Sequence, residues 1–214
     1  MNVKKLLHIF ILAVYSGICI GVGGTVFLSL DNSVVGGILF SLGLLTILVF
    51  GFNLFTGKVG YIVTNKPAYI IEVAIVWLGN FAGTVLFAYV IRGARIYNKI
   101  SEKCKTIVDV KLNDDYLSLF VLGIFCGMLM FIAVDTFKKH YVTKDFLPCL
   151  IAVLCVVVFI LSGYEHCIAD MFYFALAGKL GPCIVPLLVI TLGNALGGNL
   201  IPMGQILTKK LESE

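Results

Sequence analysis

Charge is scarce in this sequence: Asp, Glu, Lys and Arg make up 13% of its 214 residues, while 60% are hydrophobic. A soluble domain of this length could not hide so much apolar surface, so the bilayer is the expected solvent. The mean hydropathy of +1.04 agrees. The net charge of +4 is small, and the basic residues cluster between apolar runs, as topology signals do. Nucleic acid is therefore not an expected partner. There are seven cysteines but no CxxC pair, and all except Cys104 fall in or beside apolar runs. That distribution fits small buried hydrophobes better than metal or redox ligands. No GxSxG, P-loop, Rossmann glycine pattern or HExxH occurs, so neither an enzyme nor a cofactor nor a metal is expected. The apolar run after Lys4 and Lys5 reaches Leu30 without a small-x-small cleavage site, and is read as a retained first span.

What is present is a series of apolar runs, near 6–30, 34–63, 68–91, 116–137, 146–177 and 182–207. Each is long enough to cross a membrane, which takes about 20 residues. The second run contains "GFNLFTGKVG" and the fifth "SGYEHCIADMF"; glycine and polar residues inside such long runs imply broken helices. A polar loop is expected over 92–115, with Lys111 among its basic residues. Residues 1–214 read as one membrane domain, with no low-complexity tract.

The two halves resemble each other. "GICIG" (17–21) pairs with "GIFCG" (123–127) at an offset of 106, "GFNLFT" (51–56) with "GYEHCI" (163–168) at 112, and "LGNFAG" (78–83) with "LGNALG" (192–197) at 114. Three matches in one order imply an internal repeat of three spans, about 6–91 and 116–207. An odd number of spans per copy inverts the second copy across the membrane. The expected fold is all-α and integral to the membrane: six spans as two inverted repeats, broken in the second and fifth helices. Short basic flanks, Lys4-Lys5 and Lys209-Lys210, favour cytoplasmic termini.

His166 is the sharpest candidate for function, because an ionisable group at bilayer depth is costly and sits in a break. Glu165 cannot share its face of a regular helix and is expected to serve the scaffold, accepting from freed backbone N–H groups. Asp170 is expected to cap the second half-helix. Asn80 and Asn194 hold matching places, and each amide can both donate and accept. Leu54, Phe55 and Thr56 set bulky apolar groups and a hydroxyl at the first break, where an apolar constriction could gate by excluding water. An aquaporin-like channel for small neutral solutes is the alternative, but the chain has no NPA motif.

At these residues the sequence resembles the formate/nitrite transporter family. "GFNLFTGKVGYIV" is similar to its second-span signature, "SGYEHCIADMFYF" to its fifth, and "LGNALGGNLI" to its sixth-span motif. The resemblance implies an aquaporin-like protomer in a homopentamer, in the plasma (inner) membrane. It implies passive or proton-linked passage of small monovalent anions or their conjugate acids, such as formate, nitrite or hydrosulfide. It implies His166 as the central histidine, with Thr56 and Asn194 as polar neighbours. Leu54, Phe55, Phe40 and Phe159 fall at its apolar constrictions, and Lys111 at its outer vestibule. Two positions depart from the pattern. Gly127 stands where asparagine is usual, which implies a less polar pathway that favours hydrosulfide over formate. His8 stands where a vestibule lysine is usual. The usual terminal extensions are also missing.

Overall fold

The computed structural model describes residues 2–140 and 146–213. Among these residues all regular structure is helical: α1 (Val3–Leu28), α2 (Ser33–Phe50), α3 (Phe55–Lys58) running into a 3-10 turn (Val59–Thr64), α4 (Tyr69–Arg92), α5 (Tyr97–Asn113), α6 (Tyr116–His140), α7 (Leu147–Leu161), α8 (Cys167–Leu176) and α9 (Ile184–Glu212). Five helices, α1, α2, α4, α6 and α9, are long and apolar enough to cross a membrane. A helix satisfies its backbone polar groups internally, and that is what a run of apolar residues in lipid requires. Side chains cap the first two helices: Asn2 accepts from Lys4 N–H, and Asn32 from Val34 and Val35 N–H.

The interruptions fall at residues 51–54 and 162–166. Both turn on a glycine in the left-handed region, Gly51 at φ 68° and Gly163 at φ 66°. Any other residue is strained there, and the turn ends the preceding helix. The same bond follows each glycine: Phe52 N–H donates to Ile47 C=O, and Tyr164 N–H to Phe159 C=O.

α1 packs against α4 and α2, and α6 against α9 and α7. The halves interlock: α8 packs against α4 and α1, while the 3-10 turn packs against α9. All ten residues of α8 are buried, so this helix is interior on every side.

The segment 92–115 is not a loop. It contains α5, whose buried residues Ile100, Cys104 and Val108 are spaced four apart and form one face, which packs against α8. The dense charges hid that face from a composition-based reading. Burial pushes the Cys104 thiol up to about 12, and its Sγ lies 3.4 Å from the Tyr173 carbonyl oxygen. All seven thiols are free.

Candidate functional site: two helix breaks meeting at His166

The breaks are held by two asparagines in matching ways. Asn80 Oδ1 accepts from Phe55 N–H at 2.8 Å, and its Nδ2 donates to the Ala13 and Asn53 carbonyls, both at 2.8 Å. Asn194 Oδ1 accepts from Cys167 N–H at 2.9 Å, and its Nδ2 donates to Gly123 C=O at 2.8 Å and Glu165 C=O at 2.7 Å. A further pair anchors each break to a long helix: Asn53 N–H donates to Leu12 C=O and Glu165 N–H to Leu122 C=O, each at 3.3 Å. Each asparagine thus satisfies backbone groups that a break in a helix would strand.

The N-terminal ends of α3 and α8 meet at a hydrogen bond. Thr56 Oγ1 lies 3.0 Å from His166 Nε2, and both residues are buried. His166 also caps α8, its Nδ1 accepting from Ala169 N–H at 3.1 Å. With Nδ1 used as an acceptor, the neutral ring carries its hydrogen on Nε2 and donates it to Thr56. The Thr56 hydroxyl hydrogen is then free to turn to another acceptor. Phe159 stacks on the imidazole at 5.6 Å between ring centroids and meets Phe40 edge-on at 5.9 Å.

A cavity opens beside each break. One, of about 300 Å³, is lined by His166, Phe159, Glu165, Asp170, Lys111 and Tyr173 among others. The second, of about 120 Å³, is lined by Leu44, Asn53, Leu54, Lys58, Phe137 and Lys138 among others. They lie towards opposite ends of the bundle. Lys58 belongs with the start of α4, where Tyr69 Oη donates to its carbonyl at 3.2 Å and the Lys5–Glu72 pair joins α1 to α4. Lys111 belongs with α5 at the other end, where Lys179 pairs with Asp109.

Residues 2–207 match the family described as Formate/nitrite transporter. The chain belongs to the formate/nitrite transporter family. It is similar to the formate channel FocA of Haemophilus influenzae, at 30% identity over 66% of this chain and 52% of that protein. It is similar to the nitrite transporter NirC of Salmonella typhimurium, at 27% identity over 92% of this chain and 81% of that protein. Its fold matches a solved structure described as "Pentameric formate channel with formate bound", with a TM-score of 0.82 and 24% identity, covering 99% of this chain and 100% of that one. The chain is thus a multi-pass membrane protein whose relatives are channels and transporters, not enzymes.

In this family member several residues stand elsewhere than the sequence implied. The Asn194 amide is spent on three backbone groups, as that of Asn80 is, and two of them, Glu165 C=O and Cys167 N–H, stand on either side of His166. Asp170 does not cap α8, because His166 does. Glu165 does not take freed N–H groups with its carboxylate, which pairs with Lys111. Lys111 is no open vestibule cation: its side chain is 12% exposed and contacts the carboxylates of both Glu165 and Asp170. Burial works against the Lys111 charge, but Asp170 and Glu165 outweigh it and hold the ammonium above its ordinary range. Of the apolar four, Phe159 lines one cavity and Leu54 the other, whereas Phe40 and Phe55 are buried and line neither.

Gly127 is packed against α9. A Cβ there would lie 2.2 Å from Asn194 C=O, so the glycine lets α6 approach α9. Gly17 does the same for α1 and α4, where a Cβ would lie 2.4 Å from Asn80 C=O. Gly17 therefore pairs with Gly127 rather than Gly123, and the first motif match is one helical turn out of register. Gly127 lines neither cavity, so the space it leaves is filled by α9 rather than opened to either one. His8 is exposed on α1 and lines neither cavity. Lys58 and Lys138 were not singled out as site residues by the sequence. They line the smaller cavity, with Lys138 Nζ 4.1 Å above the centre of the Tyr61 ring. The lysine that follows "LFTG" directly was the available signal.

Proposed function

We propose that this protein passes small monovalent anions, such as formate, nitrite or hydrosulfide, through the membrane in a proton-linked way at His166. The observation that carries the reading is the Thr56–His166 hydrogen bond where two half-helices meet, with a cavity on either side. A bare anion meets a large desolvation cost between apolar walls. Lys58 and Lys138 at the smaller cavity raise its local concentration, and neutralisation by a proton lowers the cost of the final step. The Thr56 hydroxyl, whose oxygen accepts from His166 Nε2–H, supplies an oriented donor beside Phe159 and Leu54. It replaces part of the lost hydration without trapping the substrate as an ion pair.

The reading includes six crossings in two inverted three-span repeats, with α2 plus α3 and α7 plus α8 each forming one broken crossing. It places the protein in the plasma membrane with cytoplasmic termini. It includes a homopentamer with one pathway per protomer. The paired asparagine stitches and paired left-handed glycines support the repeat. The likeness to a pentameric formate channel supports the pentamer.

The test is stopped-flow flux into liposomes of purified protein, with formate, nitrite, hydrosulfide, water and glycerol as solutes. The expected result is anion uptake with internal acidification, lost in His166→Phe. Flux of water or glycerol without any anion would place the protein with neutral-solute channels instead. Unchanged uptake in His166→Phe would remove the histidine from the pathway.

A further inference from the structure

Two carboxylates converge on one lysine at the second break. Lys111 Nζ bonds the Glu165 carboxylate and lies 3.0 Å from Asp170 Oδ1. Asp170 is 1% exposed, and its Oδ2 has no hydrogen-bond partner among the described residues. The other titratable groups lining the larger cavity include Asp114 after α5, the neutral His166 that caps α8, and Tyr173 from α8. None of these is a cation. With both carboxylates ionised, this interior cluster would hold one negative charge more than its lysine balances, a costly state in a buried place. Glu165 and Asp170 both contact the one Lys111 Nζ, which brings the two carboxyl groups together. Carboxyl groups so close share a single proton, because two like charges cannot both stay ionised there.

We propose that the Glu165–Asp170 pair, seated on Lys111, holds one exchangeable proton and donates it to an incoming weak-acid anion. The proposal rests on the transport reading above and names the proton source for it. Glu165, Asp170, Lys111 and His166 line the same cavity, so donor and central histidine share one space. The O–H bond of the shared carboxyl breaks, and a new O–H bond forms on a carboxylate oxygen of formate. The neutral acid moves on past Phe159. The pair is left with both carboxylates ionised and regains a proton from bulk water outside the cavity. His166 is a positioning group in this step. Its Nδ1 is occupied by Ala169 N–H and its Nε2–H is donated to Thr56, so the neutral ring carries no second proton to give. Among the described residues, the opposite cavity is lined by Lys58 and Lys138 and by no carboxylate.

The test uses the full-length parent, Asp170→Asn and Glu165→Gln. Infrared difference spectra of the parent at neutral pH should contain a carboxylic-acid C=O band that shifts in D2O, and Asp170→Asn should lack it. In liposomes holding a pH dye, Asp170→Asn should slow formate-driven acidification about a hundredfold, as expected for loss of a positioned acid. A parent without the band overturns the shared proton, whether or not the variants fold. Acidification in Asp170→Asn at the parent's rate overturns the donor role. A parent that moves no formate, nitrite or hydrosulfide overturns the transport reading and the donor role with it, even where the band is present.

Discussion

Replacing Asn194 with alanine removes three hydrogen bonds at once, those to Cys167 N–H, Gly123 C=O and Glu165 C=O. The Gly123 carbonyl lies inside α6 and keeps its helical partner. The other two groups flank His166 at the break, buried away from bulk solvent. Leaving a buried donor or acceptor unpaired costs about 1–3 kcal/mol, so the two together cost roughly 2–6 kcal/mol. For a chain of this length that corresponds to a fall in melting temperature of roughly 5–20 °C. Because Asn80 makes the matching three bonds, Asn80→Ala should lose a similar amount. Thermal melts of detergent-purified protein give the size of the loss. Hydrogen exchange resolved to the Cys167 amide gives its place, and exchange there should quicken before the rest of α8 opens. A melting temperature within about 2 °C of the parent's, with a Cys167 amide as protected as before, would refute the stitching role.

Two further outcomes follow from the same geometry. Gly127→Ala sets a Cβ 2.2 Å from Asn194 C=O, and prising α6 from α9 should cost at least about 1–3 kcal/mol; Gly127→Asn should therefore lower yield and melting temperature, and a well-folded Gly127→Asn with a changed formate-to-hydrosulfide ratio would contradict the packing role. Lys58→Met combined with Lys138→Met should slow anion entry from the end of the bundle bearing the α1 N-terminus about tenfold at low salt. That deficit should shrink at high ionic strength, since screening removes the attraction from the parent too; a deficit independent of salt would mean the lysines act by packing.

Much of the fold was legible because lipid leaves the backbone few choices. A run such as 68–91 must be helical to satisfy its own N–H and C=O groups, and α4 spans Tyr69–Arg92. Gly51 and Gly163 announce the breaks because a left-handed turn needs glycine. α5 was hidden by its charge, and its apolar face became meaningful only with α8 lying against it. At the site, the place of His166 in a buried break was readable from the glycine and polar residues inside an apolar run. Its cap on α8 was not, since histidine is an uncommon N-cap and Asp170 is a better one by type.

The sequence by itself thus determined where the chain is apolar, where its helices break, and which few polar residues enter the interior, because these depend on local composition and period. Which of those polar residues holds the backbone and which faces a cavity was decided only by tertiary structure. Asn194 bonds residues in two other segments, Lys111 meets carboxylates at the second break and on α8, and Gly127 is tight against Asn194. An amide, an ammonium group or a missing side chain is compatible with either role, and only the partner that folding brings within about 3 Å fixes which one it takes.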